Sequence, residues 1–324
     1  MAYTPNLVHF QLTRKCNLRC WFCGQWGKKG FFSDAYGTEM CFDDWKKVIG
    51  SLMRCRENTG VSPSVILWGG EPLMCPDFDR LAEYLKQNDF ETGMVTNGVL
   101  LDKHLEVCKS AVSKIYVSID GTKEIHNNIR GRGVFEKVIE NLKLLQHDNV
   151  TVMSVLSDAL LYNLINFPEV LTEINPKLLL LQDMIALSED EVNQYALWLK
   201  SSFGMEAKEI YSWKQQFTQE YFEKRDKALK AVLKKKYPFP VMYLPHGGNS
   251  ECCRSALKHI HVAWNGNVLY CTDFYDFSAG NVRNGDVIDI FNNELSDKFR
   301  KAIKSGGCPA CRHCSWVSNK SFNL

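Results

Sequence analysis

Lys15-Cys16-Asn17-Leu18-Arg19-Cys20-Trp21-Phe22-Cys23 is a C-x3-C-x2-C run, and it falls directly behind a β-rich stretch, Val8–Leu12. Five more short apolar stretches follow at Ser64–Trp68, Thr92–Thr96, Ile115–Ile119, Val150–Leu156 and Leu178–Leu181. Each gives way to a polar or glycine-containing loop. The intervening segments carry apolar residues at helical spacing, such as Leu81, Tyr84 and Leu85, then Val134, Val138, Leu142 and Leu145. Alternating strands and helices predict a parallel sheet covered by helices, with right-handed crossovers. Six such units fit an α/β fold built as an open or partial barrel, in which chemistry sits at the C-terminal ends of the strands. The cysteine run lies at such an end.

Composition sets the outer limits. The chain has 324 residues, 45% hydrophobic and 23% charged, enough apolar mass for a sizeable core. Its net charge is +2, from 39 basic and 37 acidic residues, which speaks against a nucleic-acid or anionic-membrane partner. No apolar run approaches the ~20 residues of a membrane span. The N-terminus lacks a basic stretch followed by an apolar one, so the expected location is the cytoplasm. There are 13 cysteines, an odd number, which with no secretory signal argues against a disulfide framework. Clustered thiols in a reducing compartment point to metal.

Three thiolates on one short loop can hold three corners of a cubane iron–sulfur cluster and leave one iron open for a small ligand. A zinc site would want a fourth ligand or a water. The strand ends that follow carry further polar groups: Gly69-Gly70-Glu71-Pro72 after the second, Thr96-Asn97-Gly98 after the third, Ser118-Ile119-Asp120-Gly121 after the fourth, then His126 and Arg130. Taken singly, Glu71 reads as a carboxylate near a helix start, Asn97-Gly98 as a turn, and Ser118 and Asp120 as helix caps. Taken in order, they resemble the radical S-adenosylmethionine (radical SAM) superfamily, whose signature places an aromatic residue before the last cysteine, here Phe22. The resemblance covers about residues 6 to 185. It implies a [4Fe-4S] cluster on Cys16, Cys20 and Cys23, and S-adenosylmethionine (SAM) chelating the open iron. It implies a pocket of Gly69, Gly70, Glu71, Asn97, Ser118, Asp120 and Arg130. The glycines would let the ligand approach the backbone, and Glu71 would meet the ammonium of SAM.

The end of the chain has another rhythm. Residues 189–203 and about 213–236 read as helical, the second ending in a lysine run expected to be a solvated helix end, and Pro238, Pro240 and Pro245 suggest a linker. His259–Trp264 alternates, Asn265-Gly266 is a hairpin turn, and Val268–Tyr270 returns. A helix is expected with Val287, Ile290, Phe291, Leu295, Phe299 and Ile303 on one face. Cys253, twelve residues, Gly266, four residues and Cys271 resemble the opening of the SPASM and twitch extensions of radical SAM enzymes. That resemblance implies an auxiliary [4Fe-4S] cluster on Cys253 and Cys271 with two of Cys308, Cys311 and Cys314. Cys311 and Cys314 match the usual ending best, with Cys308 competing and zinc as another occupant.

The expected architecture is therefore a partial (β/α)6 radical SAM barrel (residues 1–187), a helical connector (188–249) and a small β-hairpin plus helix cluster-binding extension (250–324). The expected function is reductive cleavage of SAM, the resulting 5′-deoxyadenosyl radical taking hydrogen from a substrate, with flavodoxin or ferredoxin as electron donor. A small-molecule oxidation or modification is the first expectation. Maturation of a ribosomal peptide (epimerisation, crosslinking or thioether formation) is the alternative; against it, the strand-one motif starts almost at once and leaves no room for a leader-binding domain. A zinc- or cluster-binding module is the non-enzymatic one. Cys41, Cys55 and Cys108 are expected to pack as buried thiols, Cys75 to approach the site mouth, Trp21 and Trp26 to shield the cluster loop, and His9 to be a core histidine.

Overall fold

The computed structural model describes residues 2–26, 30–31, 37–245, 253–304 and 308–313. Seven parallel strands follow one another in sheet order: β1 (Leu7–Thr13), β2 (Ser64–Gly69), β3 (Thr92–Thr96), β4 (Lys114–Ser118), β5 (Val150–Val155), β6 (Leu178–Gln182) and β7 (Val241–Leu244). On the other side of β1 lie β8 (His259–Val262), β9 (Asn267–Leu269) and β10 (Gly280–Asn281). The C-terminal hairpin thus continues the same sheet: β8 runs parallel to β1, with His9 opposite His261, and β9 returns antiparallel.

β1 is buried along its whole length, as a central parallel strand must be. Its alternation sorts the two faces. Val8, Phe10 and Leu12 enter the core beneath the helices, where Phe10 packs 4.7 Å from Trp45 of the helix Phe42–Thr59. His9 points the other way, into the interior cavity. Helices Phe78–Gln87 and Val134–Leu145 cover the same outer face with Leu81, Leu85, Val138 and Leu142. The buried side chains thereby form one principal core.

Three expectations change. Val241–Leu244, read as part of a linker, is a strand paired with β6. Flanking prolines masked it, yet proline is tolerated at strand ends and on sheet edges. The second helix begins only at Gln219, because Thr218 caps it by accepting from the Tyr221 N–H. The single helix expected over 287–303 is two, Val287–Phe291 and Glu294–Lys304. Asn292 turns to bond the backbone of Tyr3, and Asn293 caps the next helix at Ser296 N. No helix among the described residues is long and apolar enough to cross a membrane.

Candidate active site

The inner ends of β1 to β7 enclose a cavity of about 390 Å³, within the usual range for small-molecule sites. Its walls are the inward residues of the strands: Ile66, Trp68, Val95, Tyr116, Met153 and Leu180. The three thiols of the first loop line it, as do Gly69, Gly70, Glu71, Asn97, Ser118 and Arg130. Seven pocket residues had been expected from sequence. All but Asp120 line the cavity.

The thiol loop suits anionic sulfur. Leu18 N–H lies 3.4 Å from Cys16 Sγ, and Trp26 N–H lies 3.4 Å from Cys23 Sγ. Burial pushes the Cys16 thiol up to about 11 and raises that of Cys20, while the Arg130 guanidinium pulls the Cys20 thiol back down. Such thiols stay protonated until a metal cation takes the proton's place. Among the described residues, no three His, Cys, Asp or Glu side chains converge as for a single metal ion. A cubane asks for something else, since each thiolate binds a different iron. Three thiols on one loop lining one cavity supply the three protein donors that such a cluster needs.

Glu71 is fully buried. Its Oε1 accepts from Thr96 Oγ1 at 2.7 Å and Leu73 N at 3.3 Å, and its Oε2 accepts from Asn97 N at 2.8 Å. It splices the loops after β2 and β3. A carboxylate offers about four acceptor directions, so one remains on Oε2. Burial raises its pKa to about 7 against the pull of those donors. Asn97 ties this assembly to the thiol loop through Asn17 at 2.8 Å, and Asn141 holds the next turn by donating to the carbonyls of Gly98 and Val99. The sequence reading had missed Asn141.

The structure gives both glycines a packing reason to be small. A Cβ on Gly69 would stand 2.5 Å from the Thr13 carbonyl oxygen, and one on Gly70 would stand 2.2 Å from that of residue 15. Their smallness lets the loops after β1 and β2 cross in contact.

Asp120 is buried behind the cavity wall. Its Oδ2 accepts from Arg130 Nε at 2.6 Å, and its Oδ1 accepts from Val155 N at 3.0 Å. Asp120 N donates to His126 Nδ1 at 3.0 Å, and burial lowers the His126 imidazole to about 4. Asp120 therefore acts through Arg130, which faces Cys20 and packs 6.0 Å from the Phe22 ring. Asp120→Asn leaves a buried guanidinium without its counter-charge, at an expected cost of about 3–5 kcal/mol. Denaturant melts should show it, and a change under about 1 kcal/mol would contradict the pairing.

Several lining residues carried no motif. Trp213, from the one-turn helix Glu209–Trp213, donates from Nε1 to the Asp273 carbonyl at 2.8 Å. Its ring fills the space beside Gly24, where a Cβ would meet it at 2.4 Å. Trp213 thus joins the first thiol loop to the loop of Cys271. Gly24→Ala should displace the indole and cost about 1–3 kcal/mol, a penalty that Trp213→Ala in the same chain should largely cancel. Additive losses in a double-mutant cycle would refute the contact. Asp273 lines the cavity with a buried Oδ2 lacking a hydrogen-bond partner, and burial raises its carboxyl to about 6. Asp183, also on the wall, pairs with Arg225 at 3.3 Å and accepts from the Tyr243 hydroxyl at 2.6 Å. Composition and spacing carry no signal for such residues, because only strand neighbours bring them together.

In the extension, Cys308 is buried, and Cys311 N donates to its carbonyl at 3.0 Å. The two thiols contact each other, and with burial this drives the Cys311 thiol far upward. Cys271, Cys308 and Cys311 all lie within electrostatic reach of the Tyr195 hydroxyl. The structure thus puts Cys308 beside Cys311. Cys253 begins the helix Arg254–Lys258, and Cys314 lies outside the described residues.

Among the other thiols and rings, Cys75, Cys41 and Trp21 depart from expectation. Cys75 is buried in the core and does not line the cavity, because the one-turn helix Pro72–Met74 carries it inward. Cys41 is exposed just before a helix, while Cys55 and Cys108 are buried. Trp21 points outward, and His9 faces the cavity beside His259 and His261.

Comparison with known proteins agrees with this site. Residues 10–173 match the model of the radical SAM superfamily, and residues 252–315 match that of the SPASM iron–sulfur cluster-binding domain. Fe-coproporphyrin III synthase of Methanosarcina barkeri is 30% identical over 149 residues, covering 45% of this chain and 35% of that enzyme. The first curated relatives are thus matched over half their length or less. The subtilosin biosynthesis protein AlbA of Bacillus subtilis is 25% identical over 333 residues, covering 98% of this chain and 68% of AlbA. The fold of anSMEcpe, solved with AdoMet and a peptide, superposes with a TM-score of 0.64 at 19% identity, covering 99% of this chain and 92% of that one. The chain belongs to the radical SAM superfamily and carries a SPASM iron–sulfur extension.

Proposed function

We propose that this protein cleaves SAM reductively and uses the product radical to take a hydrogen atom from a carbon of a peptide substrate. One observation carries the first half: Cys16, Cys20, Cys23, Glu71, Asn97 and Arg130 line a single mostly apolar cavity. When bound, the cluster and SAM supply a 5′-deoxyadenosyl radical after one electron arrives. The chain's own residues do the rest. Cys16, Cys20 and Cys23 hold the cluster, and Arg130 favours the anionic form of Cys20. Glu71 Oε2 has an acceptor direction left for an ammonium. Ile66, Val95, Met153, Leu180 and Trp213 exclude water from the radical's surroundings. The orphaned Oδ2 of Asp273 accepts a hydrogen bond from substrate.

The peptide reading is favoured by the similarity to AlbA along nearly the whole chain. Small-molecule modification is the second reading, favoured by the size of the cavity. Cys253, Cys271, Cys308, Cys311 and Cys314 are the candidate ligands of an auxiliary [4Fe-4S] cluster. Flavodoxin or ferredoxin would supply the electron.

The test is anaerobic purification with iron and sulfide assay, then SAM cleavage with dithionite. About four irons per chain indicate one cluster and about eight indicate two. Zinc with no 5′-deoxyadenosine would refute the proposal.

A further inference from the structure

The β7 end of the sheet has features that the chemistry inside does not use. β7 pairs with β6 on one side and has no strand partner on the other among the described residues. The Pro240 carbonyl accepts from Leu179 N at 3.0 Å, which sets the alternation along the strand. The Pro240 carbonyl and the main-chain groups of Met242 face β6, so those of Val241 and Tyr243 face the open edge. Two N–H donors and two carbonyl acceptors are thus offered to a further strand. Natural edges are commonly blunted by charge or by proline within the strand. Val241–Leu244 contains neither, and Pro238, Pro240 and Pro245 only limit its length. The opposite edge, β10, is two residues long.

The helix that precedes β7 supplies charge. Residues 219–236 carry seven lysines and arginines against three acidic residues, a net +4 in a chain whose total is +2. Lys227, Lys230, Lys234 and Lys236 are exposed. None of the four forms an ion pair among the described residues, whereas Lys224 and Lys235 pair with Asp158 and Glu169. A helix end favours cations in its last turn, which accounts for Lys234 but not for Lys227 and Lys230. The helix Gln219–Lys234 packs against β7, and Lys234 and Lys236 lie within seven residues of Val241. Met242, 40% exposed, adds apolar surface on the strand itself.

Main-chain groups on an open edge recognise another main chain in extended conformation, and unpaired lysines select acidic side chains on it. The far end of β7 leads to the chemistry, since Leu244 lines the cavity next to Gln182 of β6. We propose that the β7 edge and these lysines dock an extended acidic segment of the peptide substrate, which brings the reacting residue to the cavity at Leu244. The inference rests on the peptide reading above.

The probe is a fluorescein-labelled peptide of about ten alternating glutamates and valines, with affinity read by anisotropy on the full-length, cluster-loaded protein. Raising salt from about 50 to about 300 mM should weaken binding roughly tenfold, since screening shortens the reach of the lysines. The double variant Lys227→Glu/Lys230→Glu should weaken it about tenfold at low salt, while dithionite-driven SAM cleavage stays at the wild-type rate. Methylating the central amide nitrogens of the probe should weaken it about tenfold with no change to the protein, because those N–H groups can no longer pair with the edge. The docking surface is overturned if the probe fails to bind at about 1 mM, or if the double variant binds it as the wild type does. Equal binding by the methylated probe, by a lysine–valine counterpart or by an oligothymidylate of the same charge overturns it as well. If dithionite fails to drive cleavage in the wild type, the proposed function fails instead, and the binding measurements still decide the edge independently.

Discussion

Cys20→Ala should lose about four irons per chain after anaerobic reconstitution, with SAM cleavage reduced at least about 1,000-fold. The loop has three thiols and no spare. The neighbouring described thiols cannot substitute, because Cys75 and Cys108 are buried in the core and do not line the cavity. Iron held by the extension should persist, so the remaining iron counts the auxiliary site. Cys108→Ala is the control and should keep both iron and activity. If Cys20→Ala retained full iron, Cys16 and Cys23 would have to be doing something other than ligating the catalytic cluster.

Glu71→Gln should separate two roles of one side chain. The amide keeps an acceptor at Oε1 for Thr96 and Leu73, but it can no longer offer an anionic oxygen to an ammonium. SAM affinity should fall about 10–100-fold, measured by calorimetry on the reconstituted protein. Stability should respond differently. Burial lifts the carboxyl from its ordinary value of 4.5 to about 7 in the folded state, so the fold favours its neutral form. Its contribution is complete below the unfolded value and is lost as pH rises through about 7. Between pH ~4.5 and ~8 the wild type should therefore lose about 3 kcal/mol relative to Glu71→Gln. Denaturant melts at the two pH values check this. Unchanged SAM affinity would leave Glu71 with only the splicing of two loops.

The six strands expected from sequence are all present, because each is a short apolar run bounded by loop residues. β7 was hidden, since Val241–Leu244 is as short as its flanking prolines are loud. The roles of site residues were less legible than their positions. Gly69 and Gly70 look like ligand contacts in sequence, and only the structure adds that a Cβ on either would strike the backbone that follows β1. Asp120 and Arg130, ten residues apart, look equivalent until burial assigns one to hold the other.

The sequence by itself determined the order of strands, the thiol loop and the hairpin of the extension. These depend on local period and spacing, which a linear reading contains. The tertiary structure alone decided which groups meet. Trp213 reaches Gly24 and the Asp273 carbonyl, Tyr243 restrains Asp183, and Cys308 stands beside Cys311, each across a separation no local pattern records. Packing sets those meetings, because a side chain's neighbours depend on which strands lie together and on which face it points to.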